Sequence, residues 1–466
     1  MTAALRRLSP QAEAPDGFDR RLVAPMVLGA ILNPINSTMI AVALIPIGVA
    51  LGAPPSQTAW LVSGLYLATA IGQPVVGRLV DLFGARRLFL AGATLIGVGG
   101  VVGALAPSIG VLVVARVLLG LGTCAGYPAA MTLIRGEADR TGHDNPSGVL
   151  TILAVSTQTV AVIGPTLGGF LIGVGGWRLT FTVNIPLALA CLVLGALYLP
   201  RSTDAARRGL RDVARAIDPL GIALFVATLV ALLLFLTHLR ADLWWLPVLS
   251  VAAGAALAWW ELRARLPFLD LRVLGGNLPL LATYARSLLA AISSYAFLYG
   301  YTQWLEEGRG LSPQVTGLVL LPVFGAAIVV STVTGRRREI RGKLVVGAVG
   351  QVVVAGLLLF LDAGSALWLI LAVSAVAGMP QGLNNLANQN AVYHQADPAR
   401  LGSSAGLMRT FFYLGAIIAS ATNGIVFRDG ATTTGMHELA LVMLAAAVVF
   451  LVLTLVDRSL ARVRPA

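Results

Sequence analysis

The chain has 466 residues, of which 57% are hydrophobic and only 12% are charged, and its mean hydropathy is +0.84. Soluble domains contain about 25% charged residues, so this composition excludes a single water-soluble core. The formal net charge of +12 would favour nucleic-acid binding in a soluble protein. The distribution of the charges along the chain therefore has to distinguish nucleic-acid binding from the charge bias of a membrane protein as the cause of this net charge.

Long apolar runs, separated by short polar segments, predict fourteen transmembrane helices. A helix needs about 20 residues to cross a bilayer, and a helix satisfies every backbone hydrogen bond within one span. The predicted spans cover about residues 24–51, 58–80, 88–106, 111–134, 148–172, 179–199, 218–239, 244–262, 277–304, 313–334, 344–361, 366–390, 403–427 and 437–456. The alternative is twelve spans, with one of the weaker segments lying in the membrane interface.

The basic residues fall mostly on one side of this topology. With the N-terminus in the cytoplasm, and with Arg78 at the inner end of the second span counted with the loop that follows, 26 of the 33 lysine and arginine residues lie in cytoplasmic segments, four in outer loops and three deeper within spans. This distribution obeys the positive-inside rule and predicts a multi-pass protein with both termini in the cytoplasm. Lys343 is the only lysine, which hints at a GC-rich bacterial genome and hence at a bacterial cytoplasmic membrane. The bilayer explains the charge, and we expect no nucleic-acid partner.

The longest charged interruption, residues 200–217, contains five arginines and predicts a linker between two halves. We expect a cytoplasmic tail at 1–23, a six-helix bundle at 24–199, this linker, two inserted helices at 218–262, a second six-helix bundle at 277–456 and a cytoplasmic tail at 457–466. A faint repeat supports the division, because a Gly-Arg pair follows both the second and the tenth predicted span, at Gly77 and Gly335.

The most specific motif lies between the second and third predicted spans, where residues 77–87 have the sequence GRLVDLFGARR. Gly77 would let helices approach, Gly84 would permit a tight turn, and Asp81 could accept hydrogen bonds from a helix N-terminus or an arginine in one conformation only. Arg86 and Arg87 complete the motif. It resembles the loop between helices two and three of the major facilitator superfamily, which implies a conformational role; a basic inner loop with an incidental acid is the alternative.

A second motif lies in the fifth predicted span, where residues 164–169 read GPTLGG. Pro165 would kink the helix, and Gly164, Gly168 and Gly169 would allow a neighbour to pack closely. Ordinary small-residue packing would explain the same residues. The segment is similar to the antiporter signature of drug-exporting major facilitators, and residues 177–186, WRLTFTVNIP, resemble the start of the sixth helix in their fourteen-helix drug/proton antiporter branch. These resemblances favour export over uptake.

Two positions concern proton coupling. The pattern at 36–44 resembles one that usually begins with aspartate in that branch, but Asn36 stands there, so the usual intramembrane acid is missing. Arg116 matches an arginine that the family often links to proton coupling, and we take it as the coupling candidate. Its side chain could instead extend to the outer interface.

Further polar residues within predicted spans are candidates for lining a central cavity. We expect Arg286, about 13 Å into its span, to border that cavity and to be held by carbonyls or amides, unless the span begins nearer Tyr284 and places it at the lipid headgroups. The remaining polar and aromatic residues could also serve as hydrogen-bonding or core residues between helices. These candidates are Asn33, Asn36, Gln158, Tyr295, Tyr299, Gln303, Asn384 and Asn388.

No enzyme, cofactor or metal motif is found in the sequence. Two cysteines and four scattered histidines lack ligand spacing, and no phosphate-binding GxxxxGK[ST] loop occurs. None of the 21 acidic residues falls in the middle third of a predicted span, so neutral, zwitterionic or anionic substrates fit better than dications.

The resemblance implies a monomeric secondary transporter of two six-helix bundles plus two inserted helices, exporting small amphipathic molecules against protons. A lipid or glycolipid translocase of the same fold and a non-transporting membrane sensor are the alternatives.

Overall fold

The computed structural model of the protein describes residues 18–53, 55–141, 147–200, 218–238, 241–264, 267–269, 271–311, 313–335, 337, 339–427 and 430–461. Most of the predicted N-terminal tail, the predicted linker beyond Pro200 and the last five residues lie outside these ranges. All regular secondary structure of the described residues is helical, as a lipid environment requires.

The α-helices are numbered here in chain order. They are α1 Val23–Leu51, α2 Pro55–Phe83, α3 Ala85–Ala104, α4 Ile109–Thr123, α5 Gly126–Thr141, α6 Ser147–Gly175, α7 Leu179–Thr182, α8 Asn184–Tyr198, α9 Pro219–His238, α10 Trp245–Glu261, α11 Leu271–Gly276, α12 Leu278–Ala296, α13 Pro313–Gly335, α14 Ile340–Leu358, α15 Leu367–Gln395, α16 Leu401–Val426 and α17 Thr433–Val456. Two π-helical segments, Phe297–Tyr301 and Trp304–Gly308, continue α12.

Each predicted span overlaps one helix or two consecutive helices, the latter being α4 with α5 and α7 with α8, so the all-α integral membrane fold is confirmed. Within the described ranges, twelve helical segments are long and apolar enough to cross a membrane. The helices α10 and α12 are outside that set, since α10 has 17 residues and α12 contains Arg286 and several serines. The count of fourteen therefore stays a prediction.

The helices pack in two sets, which we call the amino-terminal set (α1–α8) and the carboxy-terminal set (α12–α17). In the first, α1 packs on α6 and α3 packs on α4 and α8; in the second, α13 and α14 pack on α15, and α12 packs on α16. The two sets meet along two seams, α2 with α16 and α6 with α13.

The hairpin of α9 and α10 lies against the first of these seams. Helix α9 contacts both α2 and α16, and α10 packs on α9. Leu233 of α9 shares a buried cluster with Ala70 of α2 and Tyr413 of α16. The hairpin is fixed at its end by Asp218, whose carboxylate accepts hydrogen bonds from the indole nitrogen of Trp260 at 2.9 Å and the Phe268 backbone nitrogen at 3.3 Å.

Candidate functional site

Asp81 joins the two helix sets at one end of the α2–α16 seam. Its carboxylate accepts hydrogen bonds from the backbone nitrogens of Gly402 and Ser403, both at 2.8 Å, and from the Ser403 hydroxyl. These nitrogens belong to the first turn of α16, where backbone donors have no helical partner and the helix dipole favours a negative charge. Asp81 thus caps a helix of the opposite set.

The glycines of the same motif allow this approach. A Cβ atom at Gly77 would lie 2.4 Å from the carbonyl oxygen of Gly402, so only glycine fits there. Gly84 has φ of 87°, a conformation that side chains disfavour, and it turns the chain from α2 into α3. Arg86 donates to the carbonyl of Ala196 at 2.7 Å, and Arg87 is exposed.

The α6–α13 seam is also closed near the same end. The side-chain amide of Gln158 donates to the Ser331 hydroxyl at 3.2 Å. A Cβ atom at Gly335, in the last position of α13, would lie 2.2 Å from the hydroxyl oxygen of Thr151 on α6. Both seams are therefore in close contact.

The 164–169 motif lies between α6 and α1, within the amino-terminal set. A Cβ atom at Gly164 would lie 1.8 Å from the Thr38 hydroxyl oxygen, and one at Gly168 would lie 3.0 Å from the Met39 carbonyl oxygen. Gly169 has no neighbouring atom within 4 Å of that position. Pro165 lies inside the continuous helix α6. Two of the three glycines are thus required by packing, and the third is not.

Arg116 is buried, with only 2% of its surface exposed. Its Nε atom donates to the carbonyl of Leu61 at 2.7 Å and its Nη1 atom to that of Asn36 at 2.9 Å, so it does not reach the outer interface. Its Nη2 atom has no hydrogen-bond partner among the described residues. The Asn36 amide donates to the side-chain oxygen of Asn184 at 2.7 Å, which ties α1 to α8.

Five aromatic residues meet between the two helix sets, and we call them the tyrosine cluster: Tyr66, Tyr295, Tyr299, Phe412 and Tyr413. The rings of Tyr66 and Tyr413 lie 6.0 Å apart, those of Tyr295 and Tyr299 lie 5.5 Å apart, and those of Tyr295 and Phe412 lie 5.7 Å apart. All except Tyr413 keep part of their surface accessible. The cluster combines ring faces with hydroxyl groups, which suits amphipathic ligands.

Asn33 connects the tyrosine cluster to the amino-terminal set. Its side-chain oxygen accepts a hydrogen bond from the Tyr413 hydroxyl at 2.8 Å, and its amide donates to Thr123 at 3.0 Å. The structure thus brings Asn33, Tyr295 and Tyr299 together, as candidates for one cavity. Asn36 and Gln158 lie elsewhere, at the contacts described above.

The prediction that carbonyls or amides hold Arg286 is wrong, because its main partner is a carboxylate. Arg286 is fully buried, and it forms an ion pair with Asp457 at 2.9 Å and donates to the Thr283 hydroxyl at 2.5 Å. The acid follows α17 and is 171 positions away, so an examination of α12 alone could not find it. The pair holds α12 and α17 together and leaves Arg286 with no surface on a cavity.

The remaining candidates are dispersed. Gln303 lies between the two π-helical segments and donates to the Glu307 carboxylate at 3.2 Å. Asn384 and Asn388 are buried on α15, and the side chain of Asn384 packs over Gly347 of α14. These three do not join the tyrosine cluster. Among the residues that the structure describes, no group of three histidine, cysteine or acidic residues could hold a metal ion.

Three residues near the cluster were not selected from the sequence. Tyr66 and Tyr413 are single tyrosines in apolar helices, which give no periodic signal. Arg409 offered a signal, because it is one of three arginines, with Arg116 and Arg286, that lie away from the ends of the predicted spans. Its guanidinium carbon lies 4.2 Å from the ring centre of Tyr127.

Comparison with known proteins agrees with this architecture. Residues 26–420 match the family model of the Major Facilitator Superfamily. The uncharacterized MFS-type transporter YwoD of Bacillus subtilis is 32% identical over 90% of this chain and 92% of its own length. The tetracenomycin C resistance and export protein of Streptomyces glaucescens is 30% identical over 86% of this chain and 74% of its own.

Among solved structures, the human organic anion transporter MFSD10 (TETRAN) superposes with a TM-score of 0.67 over 92% of this chain and 99% of its own. At 14% identity that likeness shows the fold alone. The family model covers most of the chain, and the first relative is similar over nearly its full length. The chain therefore belongs to the major facilitator superfamily of multi-pass membrane transporters and is not an enzyme.

Proposed function

We propose that the protein exports small amphipathic molecules from the cytoplasm by alternating access, in exchange for protons. The observation that carries this proposal is the cap that Asp81 provides to α16. The cap joins the two helix sets at one end through hydrogen bonds that a rocking motion of one set against the other would break.

The distribution of basic residues supports a cytoplasmic location for this end and for both termini. The described conformation would then be closed to the cytoplasm, and a substrate at the tyrosine cluster would leave towards the outside. We also propose that α10 and α12 cross the membrane, which gives fourteen spans, and that the monomer is the transporting unit.

Two similarities support export rather than uptake. Residues 164–169 resemble the antiporter signature, and Gly164 and Gly168 make the close α1–α6 contact that such a motif would provide. One relative is named for resistance to tetracenomycin C and its export. Export of a comparable amphipathic compound is the corresponding proposal for this chain.

Arg116 remains the candidate for coupling. Its Nη2 atom has no acceptor among the described residues, and a narrow cleft beside it is lined by Asn36 and Thr180. A donor without a partner in a dry interior is unfavourable, so it favours a second conformation in which an acceptor reaches it. Such a change of partner would make the contacts of Arg116 depend on the conformation of the helix sets, which is why we propose it as the coupling residue.

The hairpin of α9 and α10 argues against a lipid translocase. A lipid substrate would need a lateral opening between the two helix sets. Helix α9 covers the α2–α16 seam with Phe225, Leu229 and Leu233, and Gln158 and Ser331 join the other seam. Entry from the aqueous side or along the cavity axis fits these contacts better.

Transport by the purified protein in proteoliposomes tests the proposal. Fluorescent amphipathic compounds of positive, neutral and negative charge are offered with and without an imposed pH gradient, and an ionophore that collapses the gradient is the control. We expect accumulation of at least one compound that requires both the protein and the gradient. Flux of labelled lipids alone would indicate a translocase, and binding without flux would indicate a sensor.

A further inference from the structure

Arg409 places a positive charge in the interior between the two helix sets. It lies eight residues after the start of α16 at Leu401, about 12 Å along the helix at a rise of 1.5 Å per residue. Its guanidinium carbon is 4.2 Å from the ring centre of Tyr127 on α5 and 6.0 Å from that of Phe412. Arg409 therefore touches both helix sets and one member of the tyrosine cluster.

Arg409 is held by these ring faces alone. In the part of the chain that the structure describes, it forms no hydrogen bond and no ion pair. Arg286 offers the contrast, because its partner is Asp457. Ring faces stabilise a guanidinium by about 0.5–2 kcal/mol, and the side chain is only half-buried, so its five donors stay accessible to water or to a ligand. A charge in this state favours an anionic partner.

The surroundings of Arg409 reinforce this preference. The hydroxyl of Tyr127 is buried and has no hydrogen-bond partner among the described residues, so it is a second available donor beside the guanidinium. Among the described residues, the cluster tyrosines contact aromatic rings and the side chain of Asn33, and none of them contacts a carboxylate.

We propose that Arg409 binds the anionic group of an aromatic substrate, whose ring packs against the tyrosine cluster. The inference rests on the proposed function and specifies its substrate class as planar aromatic acids, such as sulfonates, carboxylates and ionised phenols. Aromatic faces can also hold cations, but here Arg409 already occupies the faces of Tyr127 and Phe412. A second cation would meet its repulsion.

Three probes that share one naphthalene ring test the inference by equilibrium binding. They are 2-naphthalenesulfonate, neutral 2-naphthol and the (2-naphthyl)trimethylammonium cation, offered to the purified protein in lipid nanodiscs. We expect the sulfonate to bind most tightly. Arg409→Gln should weaken its binding by about tenfold or more, as loss of a buried charged contact does, and leave 2-naphthol within about threefold.

Two further variants keep the test interpretable. Arg409→Lys retains the charge and should recover most of the sulfonate affinity, which separates charge from packing. Arg263→Gln is the matched control, because Arg263 lies 4.3 Å from the ring centre of Trp259 on the α10 hairpin, away from the cluster. It should leave all three affinities unchanged.

Equal binding of the three probes, or an Arg409→Gln variant that binds the sulfonate like the native protein, would overturn the inference. The proposed export would still stand if another compound were transported in proteoliposomes. Conversely, Arg409-dependent sulfonate binding without flux of any compound would support the site while contradicting the exporter. The two ideas therefore fail separately.

Discussion

The Oδ1 atom of Asp81 accepts a hydrogen bond of 2.8 Å from the backbone nitrogen of Gly402, although 321 positions separate the two residues. The bond exists because α2 ends where α16 begins and because glycine at 77 and 402 lets the two backbones approach. A carboxylate on a helix N-terminus is a charge-assisted contact, which is stronger than a bond between neutral groups. It stabilises one arrangement of the helix sets over any in which they separate.

Replacing Asp81 with alanine should slow transport without removing the substrate site. The cap is lost, so the closed arrangement becomes less stable by about 1.5–3 kcal/mol and its population falls. Flux in proteoliposomes should drop, while equilibrium substrate binding should stay within about fivefold. Asp139→Ala is the control, because Asp139 pairs with Arg135 on an exposed helix face. Lost binding with normal cycling would contradict the assigned role.

Alanine substitutions in the 164–169 motif should distinguish glycines that are required by packing from one that is not. Gly164→Ala and Gly168→Ala overpack the α1–α6 contact and should reduce the free energy of unfolding by about 1–3 kcal/mol each. Gly169→Ala meets no atom and should be neutral or stabilising by up to about 1 kcal/mol. Thermal unfolding in detergent measures both. Three equal shifts would show that the motif is not a packing element.

The Arg286–Asp457 pair should behave as a structural unit. Arg286→Gln leaves a buried carboxylate without its partner and should cost about 3–5 kcal/mol of stability. The double variant with Asp457→Asn should recover much of this loss, since no uncompensated charge remains. A double-mutant cycle on thermal unfolding measures the coupling. If Arg286→Gln had normal stability but no longer bound substrate, Arg286 would instead be a residue of the substrate cavity.

Cysteine labelling should establish the orientation. Ala363, in the turn between α14 and α15, and Ala399, before α16, are both exposed, and they lie at opposite ends of α15. The positive-inside distribution predicts that a membrane-impermeant maleimide added outside intact cells modifies Ala363→Cys and spares Ala399→Cys. The reverse pattern would invert the topology and with it the proposed direction of export.

The sequence predicts the helices well because lipid admits few alternatives. Every backbone group within a span must be satisfied locally, so an apolar run of sufficient length becomes a helix. The apolar runs predicted the all-α fold and the motif at 77–87 predicted the superfamily, and both predictions are confirmed. The sequence allowed two kinds of partner for Asp81, a helix N-terminus or an arginine. In the structure its carboxylate binds the N-terminus of α16.

The site was harder to predict because its parts meet only after folding. Asp457 lies 171 positions from Arg286, so hydropathy along α12 left the arginine unpaired and suggested a position on the cavity, whereas the structure buries it against Asp457. Tyr66 and Tyr413 come from different helix sets and carry no local pattern. The position of Arg409 inside a predicted span was a signal in the sequence. That it has no hydrogen-bond or ion-pair partner among the described residues can be seen only in the structure.

The distance between the helix sets at the Asp81 end tests the central claim most directly. Spin labels at Arg87 and Ala399, both exposed, report this distance by double electron–electron resonance in nanodiscs. Alternating access predicts two discrete distances whose ratio changes with pH or substrate, and Asp81→Ala should enrich the longer one. A single distance that is unchanged by pH, substrate and the Asp81→Ala substitution would contradict the account.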